Sequence, residues 1–146
     1  MPTQNKKAYF DYEILETFEA GIELFGFEVK SIREGNAHLE GGRVLIRGGE
    51  AFLVGVSIPP YQAGNTPADY EPDRTRKLLL HKKEIAHLAG KQSQQGLTLV
   101  PIKVYNKGPK VKLFFGVARG KKKYDKRQTI KKRESKRNIE RTLKNN

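Results

Sequence analysis

Apolar and polar residues alternate in short runs along the first 118 positions, and glycines punctuate the runs. A two-residue period of this kind predicts half-buried strands rather than helices. Glu13–Phe18 is the first expected strand. Glu19-Ala20-Gly21 is then expected to turn the chain into Ile22–Phe25. After Gly26, Phe27-Glu28-Val29-Lys30 alternates again and reads as strand, and Ser31–Gly35 as a single helical turn. Val44-Leu45-Ile46 is an apolar run, and Gly48-Gly49 behind it supplies the positive φ angles of a tight hairpin. The next strand places Phe52, Val54, Val56 and Ile58 on one face and stops at Pro59-Pro60, because proline has no N–H for a ladder.

Tyr61 to Thr75 carries Gly64, Pro67 and Pro72 and reads as a long loop, a length usually reserved for function or motion. A helix is expected over Lys82–Ala89, with Ile85, Leu88 and Ala89 inward and Gly90 as its C-cap. Leu97–Tyr105 and Val111–Val117 form a last hairpin around Asn106-Lys107-Gly108-Pro109, with Val111, Leu113, Phe115 and Val117 on one face. The expected fold is mainly β: an OB-like antiparallel barrel of about six strands with one to three short helices. Closure removes the sheet's edges, and a helix falling between strand sets favours a barrel over a sandwich.

The pattern stops at the tail. From Lys121 there is no Gly or Pro, and the only aliphatics are Ile130, Ile139 and Leu143. At about 100° per residue Ile139 lies opposite Ile130, so no apolar stripe forms. Two parts are expected: residues 1–118 as the barrel and residues 119–146 as a basic tail. The tail is read as disordered when free and helical once phosphates neutralise its lysines.

Charge sharpens this division. Residues 119–146 hold 13 Lys/Arg against 3 Asp/Glu, a net of +10, whereas the whole chain is +13. A nearly balanced body with a polycationic extension points to a polyanion, RNA first, bound with a steep dependence on salt. The chain has no cysteine, which excludes disulfides and thiolate-held metals and suits a reducing cytosol. Met1–Lys7 is polar and offers no signal sequence or span, so a cytoplasmic protein without membrane contact is expected.

Catalysis finds little support. His38, His81 and His87 are the only histidines. No phosphate loop, serine elbow or zinc-binding helix motif appears. Asp69, Glu71 and Asp73 alternate in the long loop, but Arg74 and Leu80 stand where a calcium loop needs glycine and glutamate. An RNA hydrolase built on His38, His81 and these carboxylates is the enzymatic alternative. The reading is of no enzyme, no catalytic residue, no cofactor and no metal. Two basic clusters remain. In the first, Arg74, Arg76, Lys77 and Lys82 flank an apolar run at what reads as a helix start, where guanidinium groups and helical N–H groups suit phosphate. The second is Arg119, Lys121, Lys122, Lys123, Tyr124, Asp125, Lys126 and Arg127: Tyr124 offers a stacking face, and Asp125 either caps a following helix or relieves repulsion.

Several stretches together resemble the SmpB family of SsrA-binding proteins, which accompany transfer-messenger RNA in bacterial ribosome rescue. They are Asn5-Lys6-Lys7-Ala8-Tyr9-Phe10, Phe18-Glu19-Ala20-Gly21-Ile22, Gly26-Phe27-Glu28-Val29-Lys30-Ser31-Ile32-Arg33, Arg74-Thr75-Arg76-Lys77-Leu78-Leu79-Leu80-His81 and Gly116-Val117-Ala118-Arg119-Gly120-Lys121-Lys122-Lys123-Tyr124-Asp125-Lys126-Arg127. The resemblance implies a six-stranded OB-type barrel that grips the tRNA-like domain of that RNA near its elbow. It places RNA contacts at Glu28, Leu79 and His81, to which the basic residues Lys30, Arg74, Arg76, Lys77, Lys82, Arg119, Lys121, Lys122 and Lys123 are added. It also implies a ribosome-engaging tail, Tyr124, Asp125, Lys126, Arg127, Ile130, Lys131 and Lys132, that becomes a helix along the empty messenger channel and stands in for codon–anticodon pairing in the decoding region. Elongation factor Tu would deliver the alanine-charged complex. Glu28 is the unusual member, an acid at an RNA surface: it accepts from a base or ribose, orients Lys30, or simply faces solvent on its strand. A ribosomal or general RNA-binding protein with a basic extension is the competing reading.

Overall fold

The computed structural model describes residues 3–62, 64, 66–121, 127, 130, 131 and 133. In chain order the elements are β1 (Thr3–Gln4), α1 (Ala8–Asp11), β2 (Tyr12–Ile22), α2 (Gly26–Arg33), β3 (Arg43–Arg47), β4 (Glu50–Val54), β5 (Arg76–Leu79), α3 (Lys82–Gln92), β6 (Leu97–Lys107) and β7 (Lys110–Gly120). The seven strands form one antiparallel sheet in the order β1-β6-β7-β2-β5-β4-β3. The sheet curls until β3 lies against β6, and α3 packs across that seam. This is the mainly β, OB-like barrel expected, with the two-residue β1 added beside β6.

The two hairpins form where the turn residues predict them. Gly48 and Gly49, with φ of 60° and 75°, join β3 to β4. Val111, Leu113, Phe115 and Val117 of β7 are buried together with Leu99, Leu53, Leu78 and Leu88 in one core. The β6–β7 ladder slips by one residue between Pro101 and Lys103. Proline has no N–H to give there, so a bulge is the ordinary accommodation.

Five local expectations are corrected. Ala20-Gly21 does not turn: β2 runs straight through, and Gly21 pairs with Lys112 on one side and Leu79 on the other. Its missing side chain lets Leu79 lie close, since a Cβ there would sit 3.3 Å from the Leu79 Cβ. Phe27–Lys30 is helix, not strand. Glu28, Ser31 and Ile32 are its buried positions, a helical spacing that a four-residue alternation masks. In β4 the core residues are Ala51 and Leu53, not Phe52 and Val54. Gly55, at φ 73°, then shifts the phase so that Val56 and Ile58 are buried after all. Arg76–Leu79 is a central strand between β2 and β4 rather than the approach to a helix. Finally, α3 continues past Gly90 to Gln92 and leaves Ala89 exposed.

Gln92 explains why that helix is longer than its apolar pattern. Its side-chain amide accepts from the Ile46 N–H at 2.8 Å and donates to the Ile46 C=O at 2.9 Å. One amide thereby serves the free edge of β3 in place of a neighbouring strand.

Candidate nucleic-acid interface

The strand period sorts the first basic cluster. Along β5 and into α3, Arg76 and Leu78 point inward and are buried, whereas Lys77, Leu79 and His81 point outward. Leu79 is 52% exposed although it lies in a central strand. His81 is the N-cap of α3, where its backbone N–H donates to Glu84 Oε1 at 3.2 Å. Lys82 is exposed in the first turn. Lys77 reaches Glu50 at 3.3 Å on the surface.

Arg76 and Glu28 are both 0% exposed. Both side chains lie beneath the surface, with their polar atoms engaged inside the protein. The Glu28 carboxylate accepts six hydrogen bonds. Oε1 takes the Phe25 N–H at 2.8 Å and Arg74 Nη2 at 2.5 Å. Oε2 takes Arg76 Nη2 at 2.7 Å, Arg76 Nε at 2.9 Å, the Tyr70 hydroxyl at 2.9 Å and Arg74 Nε at 3.2 Å. Burial alone would raise the Glu28 carboxyl, but the bonds from Arg74, the Phe25 N–H and Arg76 outweigh it and hold it below its ordinary value of 4.5. Arg76 directs its remaining donors to backbone carbonyls: Val56 and Arg74 at 2.8 Å and Pro72 at 2.7 Å. The single Tyr70 O–H is shared between Glu28 Oε2 and the Ile58 carbonyl at 2.8 Å, and burial with the Glu28 contact pushes its hydroxyl pKa up. The second half of the long loop is therefore pinned to the barrel by a buried ion pair.

That pinning sets the outer surface. Arg74 is the outer member of the network, one-quarter exposed, and its guanidinium lies 4.3 Å from the centre of the Phe25 ring. Phe25 is 50% exposed and stacks on Phe27, which meets Tyr70 edge-on at 4.7 Å. A groove lined by Phe25, Phe52, Arg74 and Lys77 leads from this platform along β5. The platform sets a guanidinium against an open aromatic face, groups that hold unstacked bases and their phosphates, and Glu23 adds a carboxylate to the groove lining. Lys30, exposed on α2, lies 5.8 Å from the Tyr61 ring.

Phe25 does not stand out in the sequence pattern. Its one signal is the capping spacing: an aromatic N-cap followed three residues later by Glu28, which reaches back to its N–H.

The second cluster is only partly described. Arg119 is exposed within β7. Lys121 is tied to the barrel: its N–H donates to the Asp11 carbonyl and its ammonium to the Tyr9 carbonyl at 2.7 Å. Arg127, Ile130, Lys131 and Arg133 have helical backbone and are exposed. Lys122, Lys123, Tyr124, Asp125, Lys126 and Lys132 lie outside the described residues. Among the described residues no three His, Asp or Glu side chains gather to hold a metal, and no helix is long and apolar enough to cross a membrane. His38 pairs by backbone with Ser57, and His87 contacts Glu16 at 2.8 Å on another side of the barrel.

The family described as SmpB protein matches residues 2–145. The SsrA-binding protein of Gloeothece citriformis is 55% identical over 142 residues, covering 97% of this chain and 92% of that protein. The SsrA-binding protein of Enterococcus faecalis is 54% identical over 143 residues, with 98% and 92% covered. A solved chain described as "tmRNA-SmpB: a journey to the center of the bacterial ribosome" superposes with a TM-score of 0.70 at 48% identity, covering 84% of this chain and 85% of that one.

Proposed function

Because the chain belongs to the SmpB family, we propose that it is a non-catalytic adaptor that binds transfer-messenger RNA and brings it to stalled ribosomes for trans-translation in the cytoplasm. The observation that carries this reading is likeness to SsrA-binding proteins along 97% of the chain at 55% identity. The geometry supplies the means. The Arg74–Phe25 platform and the outward residues Lys77, Leu79, His81 and Lys82 form a track for the tRNA-like domain, with Lys30 on α2. Glu28 and Arg76 act beneath it as positioning residues. From Lys121 onward the chain acts as the ribosome-engaging segment and runs as a helix along the phosphate of the decoding region and messenger channel. Its members are Lys122, Lys123, Tyr124, Asp125, Lys126, Arg127, Ile130, Lys131 and Lys132, with Arg119 at its root. Elongation factor Tu takes part through the alanine-charged RNA.

The test is the RNA that co-purifies with the protein from native cells. One predominant structured RNA, enriched together with stalled ribosomes, is the expected result. Stoichiometric presence on all ribosomes with only bulk ribosomal RNA would replace this reading with a ribosomal protein.

A further inference from the structure

The second half of the long loop closes a cavity of about 410 Å³ beside the Arg74–Phe25 platform. That volume lies in the range of about 300–1,000 Å³ that encloses a small molecule. Its apolar walls are Phe25, Phe27, Pro67 and Tyr70, and its charged groups are Asp69, Glu71 and Arg74. The shape is held from inside the barrel. The Tyr70 hydroxyl bonds to Glu28 and the Ile58 carbonyl, and Arg76 holds the Pro72 carbonyl at 2.7 Å. Phe27 stacks on Phe25 and meets Tyr70 edge-on, so the three rings form a corner. Arg74 is the one cation, and its guanidinium is already bonded to Glu28 through Nε and Nη2. Asp69 and Glu71 are exposed and make no ion pair among the described residues. A chain of net charge +13 thus presents two uncompensated carboxylates against an aromatic wall.

Two free carboxylates call for a cation, and the wall decides its kind. A magnesium ion keeps a shell of water and oxygen ligands that rings and a proline cannot replace. An ammonium on a methylene chain uses both parts of the cavity: the chain packs on apolar side chains and the charge faces a ring or a carboxylate. Two carboxylates two positions apart match a ligand with more than one ammonium. We propose that this cavity binds a short aliphatic polyamine, its ammonium groups on Asp69 and Glu71 and its methylenes on Phe25, Phe27 and Pro67. The cavity shares Phe25 and Arg74 with the groove that leads to Lys77. Bound polyamine neutralises the acidic loop beside that track, so polyamine and RNA each favour the other's binding. This coupling rests on the adaptor reading above; the polyamine site itself does not.

The probe is spermidine, titrated by calorimetry into the full-length protein without RNA. One equivalent should bind. The double variant Asp69→Asn with Glu71→Gln should bind it at least about tenfold more weakly and melt with the parent, and Glu71→Lys should bind none. Equal binding by parent and double variant would overturn the proposal. So would displacement by magnesium at the same concentration of charge, the mark of a diffuse ion atmosphere. The coupling is read with transcribed transfer-messenger RNA. Between no spermidine and saturating spermidine, the ratio of parent to double-variant affinity for that RNA should rise about fivefold. Spermidine held by the RNA itself affects both proteins alike and cancels in the ratio. A constant ratio would overturn the coupling. Parent protein that takes spermidine yet binds no transfer-messenger RNA would defeat the adaptor reading and leave the polyamine site standing.

Discussion

Glu28 is a buried carboxylate whose bonding capacity is met wholly within the protein. Its two oxygens are filled by donors from Phe25, Tyr70, Arg74 and Arg76. Removing the charge leaves the Arg76 guanidinium buried and unpaired, which costs about 3–5 kcal/mol. Glu28→Gln should therefore lower the melting temperature as well as RNA affinity. A surface contact residue such as Leu79 should lower affinity alone when changed to alanine. The acid limb separates these roles further. The folded carboxyl titrates below 4.5, so the unfolded chain takes up the proton first as pH falls. The stability it contributes is complete above about pH 4.5 and is lost as pH drops through the depressed folded value. A melting curve recorded from pH 5 to pH 3 should fall more steeply for the parent than for Glu28→Gln. Equal slopes would mean that this carboxyl is not held by the network. None of this is visible in the sequence, because Arg74, Arg76 and Glu28 differ in role through strand parity and burial, not through residue type.

At the level of elements, the sequence is legible where local chemistry dictates the outcome and opaque where a distant partner does. The Gly48-Gly49 hairpin and the β6–β7 pair follow from turn residues and a clean two-residue alternation. The Arg76–Leu79 strand has a weak pattern of its own and exists because β2 and β4 pair with it on both sides. Helix α2 is hidden because Phe27–Lys30 fits two periods, and only burial of Glu28, Ser31 and Ile32 selects the helical one. The last turn of α3 likewise depends on what it covers. Gln92→Leu should cost about 1–3 kcal/mol, the cost of unpaired buried backbone groups. It should speed amide exchange at Ile46 more than at Leu53, in the middle of the ladder. Uniform acceleration across β3 and β4 would show that the Gln92 amide does not brace the edge.

For the whole molecule, the asymmetry of charge is the most legible property, and the expected division into a barrel and a basic tail is read from it. The strand β7 carries the barrel two residues further than the apolar pattern suggests, through Arg119 and Gly120, which pair with Glu13 and Tyr12. A deletion that respects this limit removes residues 122–146, which hold 11 Lys/Arg and 3 Asp/Glu. The shortened protein should melt with the parent and bind transfer-messenger RNA through the barrel, yet support no peptide tagging. The salt dependence of ribosome binding should also flatten by about 0.7–0.9 logarithmic units for each phosphate that the tail no longer neutralises. A collapse in melting temperature would mean that the tail helps hold the barrel.

The two hydrogen bonds from Lys121 to the Asp11 and Tyr9 carbonyls have a geometric corollary. They fix the azimuth at which the chain departs. One residue inserted directly after Lys121 would leave both anchoring bonds in place and move Arg127, Ile130, Lys131 and Arg133 one position further along the chain from them. Such a protein would keep its composition of charge while presenting it out of phase, like a screw started in the wrong thread.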